Sequence, residues 1–274
     1  MTPKKILLTG ATSGIGLETA KALAAEGHHL LVHGRDAAKV DGLERTLRAV
    51  AGAGPAEGYT ADLSSLADVA SLAAAVKDEH DALDVLINNA GVLKTRAPRT
   101  ADGLDVRFVV NTIAPYLLTM RLLPLLPQDG RVINLSSAAQ APVDLDALAG
   151  RVPLSDFDAY AQSKLAIAAW TRWVAEAHPD GPAIVSVNPG SLLGTKMVKE
   201  GFGMAGKDVG IGVGILKRLA LTEDVASVTG DYYDNDARRW GSPHPAALDR
   251  RKTQALVAAI ADIVGDASLG RRAS

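Results

Sequence analysis

Near its start the chain reads Lys5-Ile-Leu-Leu-Thr9-Gly10-Ala-Thr-Ser-Gly14-Ile-Gly16, an apolar run followed by a glycine-rich turn. The run is typical of a buried parallel strand, and residues 17–26 have apolar side chains at helical spacing. Strand, glycine loop and helix can together hold a dinucleotide, because the loop admits a pyrophosphate and the helix N-terminus directs N–H groups at it. The spacing is G-x-x-x-G-x-G rather than G-x-G-x-x-G, and an ordinary turn would also explain the loop taken alone.

Short apolar runs alternate with helical stretches along the rest of the chain. The strand candidates are 29–33, 58–60, 83–87, 131–135, 183–187 and 230–233, and the helix candidates are 36–51, 66–77, 102–126, 158–177 and 223–229. Near-continuous Val, Ile and Leu strands predict a parallel sheet with helices on both faces. We therefore expect an α/β Rossmann fold, doubly wound, with a seven-stranded sheet in the order 3-2-1-4-5-6-7.

The chain is expected to form one domain over residues 1–274, since no linker interrupts it. Two stretches that bear glycine and proline, 138–156 and 191–214, follow predicted strands, and we expect them to be substrate loops. Their apolar side chains favour a small apolar substrate, and the glycines of 191–214 favour a mobile lid. Residues 265–274 are small, polar and basic and are expected to fray.

Composition excludes several kinds of site. The chain has 274 residues, 47% of them hydrophobic, a net charge of −2 and no cysteine. Without cysteine there is no disulfide and no thiolate ligand, and no histidine pair has metal-ligand spacing, so no metal is expected. Near-neutral charge predicts no nucleic-acid partner. No apolar run is judged long enough to span a bilayer and a strand begins at Lys5, so we expect a cytoplasmic protein.

Tyr160 and Lys164 are the first candidates for catalysis. They lie four residues apart in Asp158-Ala-Tyr160-Ala-Gln-Ser-Lys164, about one helical turn, so they share a helix face and can act on one ligand. A phenol beside an ammonium is a proton donor with a lowered pKa, which suits the reduction of a carbonyl. Ser137 adds a hydroxyl at the end of another apolar run. This combination predicts an enzyme.

Further motifs complete a pattern: Thr9-Gly-Ala-Thr-Ser-Gly-Ile-Gly16, Asn88-Asn-Ala-Gly91, Asn111, Ser137, Tyr160-x-x-x-Lys164 and Pro189-Gly190. In order and spacing the set resembles the short-chain dehydrogenase/reductase family over roughly residues 4 to 235. The sequence after Asp158 and the long interval between Ser137 and Tyr160 also resemble the branch of the retinol dehydrogenases and protochlorophyllide reductase. The chain departs from that branch at Gln140, where His is usual, and at Ile167-Ala-Ala-Trp170.

The resemblance implies roles for four residues. Tyr160 would exchange a proton with the carbonyl oxygen as a nicotinamide hydride reaches the carbon. Lys164 would lower the pKa of Tyr160, together with the charge of the oxidised nicotinamide, and would hold the nicotinamide ribose. Ser137, rather than Ser136, would stabilise charge on the substrate oxygen. Asn111 would hold a water that links Lys164 to solvent, although an Asn within a helix can also simply satisfy backbone groups.

The resemblance also implies a set of cofactor contacts. In chain order they are Gly10, Ser13, Gly14, Ile15, Gly16, Arg35, Asp62, Leu63, Asn89, Ala90, Gly91, Tyr160, Lys164, Pro189, Gly190, Leu192 and Thr195. Residues 13–16 would face the pyrophosphate, Asp62 the adenine, and residues 189–195 the nicotinamide. Asp62 could instead cap the helix that follows it. Four residues separate Gly190 from Thr195, one more than the family pattern has.

The end of the second strand bears on the choice of cofactor. NAD-preferring relatives carry a carboxylate at the position of Gly34, where it binds both ribose hydroxyls. Glycine removes that charge and the Arg35 guanidinium suits a 2′-phosphate, so we expect NADP(H). A one-residue shift of the alignment would make Asp36 the ribose ligand and the enzyme NAD(H)-dependent. Asp36 could also cap the helix that starts there.

We therefore expect an NADP(H)-dependent oxidoreductase that interconverts a carbonyl and an alcohol. The alternatives are a reductase of a carbon–carbon double bond on the same fold and a non-catalytic protein that senses NADP(H). A sensor would be expected to lack the tyrosine or the lysine, and this chain has both. The resemblance implies a homodimer or a homotetramer, with exceptions in this branch.

Overall fold

A sheet of eight strands forms the centre of the protein, in the order β3-β2-β1-β4-β5-β6-β7-β8. The structure is a computed structural model that describes residues 2–266, without the side chains at 202, 223, 224 and 226. The strands are β1 Lys5–Leu8, β2 His29–Gly34, β3 Ala56–Thr60, β4 Val85–Asn88, β5 Arg131–Leu135, β6 Ala183–Asn188, β7 Tyr232–Asp234 and β8 Arg239–Gly241. Strands β1 to β7 pair in parallel, which confirms the doubly wound α/β fold.

Helices cover both faces of the sheet. They are α1 Gly14–Ala24, α2 Ala37–Arg48, α3 Leu66–Glu79, α4 Val106–Phe108, α5 Ala114–Leu122, α6 Leu145–Leu148, α7 Asp156–Ala177, α8 Lys196–Phe202, α9 Gly210–Leu221 and α10 Arg250–Val264. Side chains of a strand point alternately to the two faces. Leu7 of β1 packs with α3, α5, α7 and α10, whereas Ile6 and Leu8 pack with α1, α2 and α9. The strands are apolar throughout because both faces are buried.

The sheet has one strand more than the sequence predicts. β8 forms an antiparallel hairpin with β7, in which Tyr233 lies opposite Trp240. The two rings meet edge to face, with 5.1 Å between their centroids. A strand of three residues has too few positions for its alternation to be recognised, and its pairing depends on the neighbouring strand. The expectation of seven strands was therefore one short, at the edge of the sheet.

The helix expected at 102–126 is segmented. It runs from α4 through a π-helical turn at Val109–Ile113 into α5, and it ends in a 3₁₀ turn at Leu123–Leu125. Asp105 caps its start by accepting a hydrogen bond from the N–H of Arg107 at 2.9 Å. The π turn carries Asn111. Turns of this kind inside α-helices are frequent at functional sites.

This segmented helix, Val106–Leu125, is long and apolar enough to cross a membrane by length and composition, with a mean hydropathy of 1.4. The expectation that no apolar run reaches such a length was therefore wrong. In the fold, 72% of an apolar 18-residue stretch of this helix is buried, and α3 and α7 pack against the helix. A core helix of a globular domain has the same composition, because both its sides face apolar neighbours.

The two expected substrate loops are partly helical. Residues 138–156 contain α6, and residues 191–214 contain α8 and the start of α9. One glycine of the second segment, Gly203, ends α8 with φ 68°, so glycine here marks a helix end rather than an open loop. In the tail, Gly265 likewise ends α10 with φ 74°. The rest of the expected frayed segment, 267–274, lies outside the described residues.

Candidate active site

A cleft of about 360 Å³ lies at the carboxyl ends of the parallel strands. Its walls come from the segments that follow β1, β3, β4 and β6 and from the ends of β2 and β5. The predicted site residues that line it are Gly10, Ser13, Gly14, Ile15, Gly16, Arg35, Asp62, Leu63, Asn89, Ala90, Gly91, Tyr160, Lys164, Pro189 and Thr195. The predicted residues that do not line it are Asn111, Ser137, Gly190 and Leu192.

The glycine loop between β1 and α1 is packed too closely for side chains. Gly10 has φ 65°, and a Cβ there would lie 2.8 Å from the Cα of Ala90. A Cβ on Gly16 would lie 2.5 Å from Nδ2 of Asn89. Ser13 is the N-cap of α1, but its side chain makes no capping hydrogen bond, so the first N–H groups of the helix keep their capacity to bind a ligand. This backbone cradle suits a pyrophosphate.

Asn89 braces the glycine loop from behind. Its Nδ2 donates to the carbonyl oxygens of Thr9 at 2.8 Å and Gly10 at 3.1 Å. The backbone N–H groups of Asn89 and Ala90 both donate to Oγ1 of Thr9, at 3.0 and 3.1 Å. These two residues therefore fix the position of the loop, a role that the motif does not state.

The end of β2 brings Arg35 to the cleft and turns Asp36 away from it. Asp36 is the N-cap of α2: its Oδ1 accepts from the N–H of Lys39 at 3.2 Å. Gly34 and Arg35 line the cleft. A Cβ on Gly34 would lie 2.6 Å from Cγ2 of Thr12, so a carboxylate at this position would require Thr12 to move. The geometry favours the alignment in which Gly34 and Arg35 face the adenosine ribose.

His33 lies in the wall of the cleft, buried at the end of β2. The N–H of Gly10 donates to its Nδ1 at 3.3 Å, and its Nε2 lies 3.0 Å from the carbonyl oxygen of Ala61. Because Nδ1 accepts, the neutral ring carries its proton on Nε2 and donates to Ala61. Burial lowers the pKa of His33, which favours this neutral form. The ring thus joins the glycine loop to the end of β3.

Asp62 and Leu63 reach the cleft from the end of β3. The N-cap of α3 is Ser65, whose Oγ accepts from the N–H of Asp68 at 3.2 Å, so Asp62 does not cap this helix. The Oδ1 of Asp62 accepts from the N–H and the hydroxyl of Ser64, at 2.9 and 2.8 Å. These bonds hold the Asp62 carboxylate at the rim where the adenine is expected.

Tyr160 lies in the cleft wall on α7, and its hydroxyl is hydrogen-bonded with Ser137. Burial raises the pKa of Tyr160, and the bond with Ser137 offsets only part of this rise. Nζ of Lys164 lies 5.7 Å from the centre of the Tyr160 ring, where its charge favours the phenolate, but burial has the larger effect on this pKa. The protein's own groups therefore do not produce the expected lowering of the phenol pKa.

Lys164 is buried beneath the cleft. Its Nζ donates to the carbonyl oxygen of Leu135 at 2.7 Å, and burial lowers its pKa to about 8. The amine is therefore still mostly protonated at pH 7. Oγ of Ser136 donates to the carbonyl oxygen of Lys164 at 2.6 Å. Ser136 is thus engaged with α7, and Ser137 is the serine whose hydroxyl meets Tyr160.

Asn111 lies behind Lys164 on the π turn, and its amide is fully used as a donor. Nδ2 donates to the carbonyl oxygen of Val92 and to Oγ of Ser163, both at 2.9 Å, and Oδ1 accepts from the N–H of Val92 at 2.8 Å. A Cβ on Gly91 would lie 3.4 Å from Oδ1 of Asn111 and 3.5 Å from Nζ of Lys164. Asn111 therefore satisfies backbone groups, and its role toward a water stays a prediction.

Thr195 closes the cleft opposite the glycine loop. It is the N-cap of α8, with Oγ1 accepting from the N–H of Val198 at 3.3 Å. A Cβ on Gly14 would lie 3.4 Å from Cγ2 of Thr195, so the two segments are in contact. The helix α8 thus begins at the mouth of the site, although the loop before it is one residue longer than the family pattern.

Leu192, in the loop before α8, lies away from the cleft. It has φ 57° and is 38% exposed. The neighbouring Leu193 is buried instead and would contact a Cβ placed on Gly190. The structure therefore does not bring the predicted cofactor contact of Leu192 into the site.

Several lining residues were missed by sequence reasoning. They include Thr12, Ala61, Val92, Leu93, Lys94, Val110, Leu135, Lys196 and Glu200. Met197 also lines the cleft, and it is one of the apolar side chains of 191–214 that were expected to face the substrate. Residues 92–94 directly follow the Asn88–Gly91 motif, so their place in the sequence was a usable signal. Met197 and Glu200 lie on α8, which sequence reasoning treated as loop. The segment 138–156 supplies no lining residue among those described.

A second polar cluster lies away from the cleft, between β3 and the end of α3. Oε2 of Glu79 accepts from the hydroxyl of Tyr59 at 2.5 Å, and that hydroxyl lies 2.9 Å from Nε2 of His80. Ligand atoms of Glu57, Glu79 and His80 lie within 4.8 Å of one another, as metal ligands can. Nζ of Lys5 lies 3.3 Å from Nδ1 of His80, whereas Oε2 of Glu57 lies 3.5 Å from Nε2 of the same ring, so a lysine cation already neighbours the cluster. The sequence did not indicate this cluster, because its members are distant in the chain.

Comparison with known proteins agrees with the geometry of the cleft. The family model of short chain dehydrogenases matches residues 4–206. Retinol dehydrogenase 13 of Homo sapiens is 30% identical over 289 residues, which cover 96% of this chain and 85% of the relative. Polyprenol dehydrogenase of Mus musculus is 38% identical over 170 residues, which cover 59% of this chain and 51% of the relative.

Solved structures show the same fold. A short chain dehydrogenase from Burkholderia cenocepacia in complex with NADP superposes with a TM-score of 0.67 at 25% identity, over 84% of this chain and 95% of that chain. The promiscuous reductase LugOII, which catalyses keto-reduction at C1 during lugdunomycin biosynthesis, superposes with a TM-score of 0.66 at 30% identity, over 85% and 95%. With the family match over most of its length, the chain belongs to the short-chain dehydrogenase/reductase family of oxidoreductases, in the branch of the retinol dehydrogenases.

Proposed function

We propose that this protein is an NADP(H)-dependent oxidoreductase that interconverts a carbonyl and an alcohol, with Tyr160 as the general acid and base. One observation carries the proposal. The Tyr160 hydroxyl, bonded with Ser137, lies one helical turn from the buried ammonium of Lys164, in the wall of a cleft that ends at the glycine loop. A hydroxyl pair able to bind one substrate oxygen is thereby joined to a dinucleotide cradle.

The residues of the cleft fit NADP(H). A side chain on Gly10 would collide with Ala90 and one on Gly16 with Asn89, so glycine at both positions allows the close packing that presents the loop backbone to a pyrophosphate. Arg35 lines the same cleft and offers a planar guanidinium to a 2′-phosphate, while Asp36 is engaged in capping α2. The similar dehydrogenase from Burkholderia cenocepacia holds NADP. NAD(H) is the alternative cofactor, and a comparison of kcat/KM for NADPH and NADH distinguishes the two.

The chemistry at the nicotinamide end follows from the two hydroxyls. Bound NADPH supplies the hydride. The Ser137 and Tyr160 hydroxyls bind the substrate oxygen, and Tyr160 gives it a proton as negative charge develops there. Lys164 then stabilises the phenolate that is left, because its ammonium lies on the same helix face.

The protonation state of Tyr160 favours reduction. Since burial raises its pKa, the phenol stays protonated at neutral pH and is ready to act as the acid. In the oxidative direction Tyr160 must first lose its proton. We therefore propose that reduction is the faster direction at pH 7, and that oxidation gains as the pH rises.

The proposal is tested by NADPH oxidation with a panel of carbonyl substrates. The panel contains retinal and a polyprenal, after the names of the relatives, a simple aliphatic ketone and an α,β-unsaturated ketone. Mass analysis of the product of the unsaturated ketone tells reduction of the carbonyl from reduction of the carbon–carbon double bond. NADPH binding without turnover of any substrate would instead favour a sensor.

Tyr160→Phe is the decisive variant for this assay. It keeps the ring and removes only the proton donor, so kcat should fall by about 10²–10⁴-fold, the usual contribution of a general acid. NADPH affinity, followed by its fluorescence, should stay close to that of the wild type. A Phe variant with near-wild-type kcat would remove Tyr160 from the mechanism.

The substrate class and the location belong to the same proposal. Leu93 and Met197 line the cleft, which favours a small apolar carbonyl or alcohol. The apolar surface of Val106–Leu125 is largely covered inside the fold, which favours a protein of the cytoplasm. Fractionation of cells that express the full chain tests the location, and recovery with the membranes would contradict it. Sedimentation of the purified chain decides between a monomer, a dimer and a tetramer.

A further inference from the structure

The peptide carbonyl of Ser137 is held by two side chains from different parts of the chain. Nε2 of Gln140 donates to it at 2.9 Å, and the hydroxyl of Tyr232 donates to it at 3.1 Å. Tyr232 lies on β7 and is separated from Ser137 by 95 positions in the sequence. Burial raises the pKa of Tyr232, so this hydroxyl is a neutral donor at any working pH. A carbonyl that accepts two such bonds has little freedom to rotate.

Gln140 is itself fixed from the C-terminal part of the chain. Its Oε1 accepts from the backbone N–H of His244 at 2.9 Å. His244 in turn caps the 3₁₀ turn Pro245–Ala247, where its Nδ1 accepts from the N–H of Ala246 at 3.1 Å. The amide of Gln140 therefore has a defined orientation: its oxygen must face His244 and its nitrogen must face Ser137.

The hydroxyl of Ser137 depends on this arrangement. The N–H of Ala139 donates to Oγ of Ser137 at 3.1 Å, and the same hydroxyl is bonded with Tyr160. If the backbone at Ser137 shifted after its carbonyl lost these donors, the displaced Cα would carry Oγ away from both partners. Gln140 and Tyr232 bind the carbonyl oxygen of Ser137 rather than its hydroxyl, so they act on the site through the Ser137 backbone.

We infer that Gln140 and Tyr232 are positioning residues, which hold the Ser137 hydroxyl on Tyr160. Tyr232 and His244 lie beyond the matched family segment 4–206, so residues outside that segment set the geometry of the reaction. The inference rests on the proposed function. It assigns a purpose to the glutamine at a position where the branch usually has His. The inference also gives the β7–β8 hairpin and the turn that follows β8 a role in positioning Ser137.

Gln140→Glu tests the amide donor, whose second and longer bond goes to Oγ of Ser136 at 3.4 Å. Glutamate has the shape of glutamine and can still accept from His244, but its carboxylate cannot donate to the Ser137 carbonyl. At about pH 8 we expect kcat to fall roughly 3- to 30-fold relative to the wild type, with unchanged NADPH affinity. Protonation restores a donor, so the ratio to wild type should recover as the pH falls through the glutamate pKa. Burial beside a carbonyl oxygen should raise that pKa above its usual value of about 4.3.

Two further variants separate positioning from general loss of packing. Tyr232→Phe removes the second donor and should lower kcat modestly, without the pH-dependent recovery. The double variant Gln140→Glu, Tyr232→Phe should lose more at about pH 8 than the product of the single effects, because each donor compensates for the other. Gln254→Glu is the matched control, since it makes the same chemical change on an exposed position of α10.

A readout without turnover keeps the inference testable on its own. Hydrogen exchange of the Ala139 N–H reports whether Oγ of Ser137 is in place, and Ser137→Ala gives the rate without that oxygen. After correction for intrinsic rates, the Ala139 N–H should exchange faster in Gln140→Glu than in the wild type at about pH 8. Once the introduced carboxylate is protonated, the two rates should be equal. Equal exchange and an equal kcat ratio at every pH would overturn the inference. A wild type that reduces no carbonyl would refute the proposed function, while Ala139 exchange would still decide the positioning.

Discussion

Lys164 holds its ammonium group out of water, bonded to the carbonyl oxygen of Leu135, and its pKa falls to about 8. An anionic cofactor next to this group should raise the pKa again, so binding of NADPH takes up a proton where the free amine is neutral. We expect NADPH affinity to weaken as the pH rises from about 7 to about 9, by up to about tenfold. Lys164→Met should bind more weakly at pH 7 and show a flat profile. Fluorescence titration of NADPH at several pH values measures both, and an identical slope in the two proteins would contradict the role of Lys164.

Arg35 decides the choice of cofactor in our interpretation. Arg35→Ala should lower kcat/KM for NADPH by about ten- to hundredfold, the value of a charge-assisted hydrogen bond, and should leave NADH nearly unchanged. Gly34→Asp is a poorer test, because a Cβ there would lie 2.6 Å from Thr12. Arg45→Ala is a suitable control, since it removes an arginine from the exposed last turn of α2. A wild type with higher kcat/KM for NADH than for NADPH would overturn the assignment.

At the scale of residues, the sequence predicts contacts between residues that are close together in the chain. Tyr160 and Lys164 share a helix face because they are one turn apart, and the glycine loop lies directly between its strand and helix. The bonds of Gln140 and Tyr232 with Ser137 were not predictable in this way, since only the folded sheet brings β7, across the intervening β6, within reach of the segment that follows β5. The phenol pKa of Tyr160 was expected to be lowered, but burial, which depends on the whole fold, acts against the nearby charge.

Among the elements, α4 and α7 are joined at their N-termini by a buried guanidinium. Arg107 is 2% exposed, and it pairs with Asp105 at 2.6 Å and with Asp156 in the first turn of α7. Arg107→Met leaves Asp105 partly buried without its partner, so the free energy of unfolding should fall by about 3–5 kcal/mol. Arg151→Met breaks the exposed pair with Asp146 and should cost less than about 1 kcal/mol. Urea unfolding measures both, and equal losses would show that burial does not matter here.

The accuracy of the predicted elements follows from their length and burial. Strands buried on both faces, such as β1 and β5, are visible as apolar runs, and α7 is visible from its helical spacing. β8 has three residues at the edge of the sheet, and α8 is a short helix among glycines, so neither has a periodicity that the sequence can show. The π turn around Asn111 depends on a bond with Val92 across the cleft floor, which no local pattern encodes.

The whole molecule contains three histidines whose burial lowers their pKa: His28, His33 and His80. Their unfolded pKa is near 6.5, so the unfolded chain takes up protons first as the pH falls. Their contribution to stability is complete above about pH 6.5 and is lost below it, by at most about 1.4 kcal/mol per pH unit for His33. Urea unfolding at about pH 7.5 and pH 5 should show this loss.

The histidine prediction has a matched pair of variants. His33→Gln can keep both hydrogen bonds of the ring, with an amide oxygen toward Gly10 and an amide nitrogen toward Ala61, but it cannot titrate. It should therefore reduce the slope of stability against pH. Gln254→Asn, on the exposed face of α10, adds and removes no titratable group and should leave that slope unchanged. The same slope in the His33 variant as in the wild type would exclude His33 as a source of acid sensitivity.

The bond between Gln140 and His244 also bears on how the protein is made. A ribosome releases the glycine loop, Ser137 and Tyr160 long before it adds the residues of β7, β8 and the turn at His244. Until those last residues have emerged, the Ser137 peptide lacks both of its side-chain donors. A nascent chain can thus complete its nucleotide cradle before its catalytic serine is held in place. Chains cut short before β7 would then bind the cofactor but turn it over slowly.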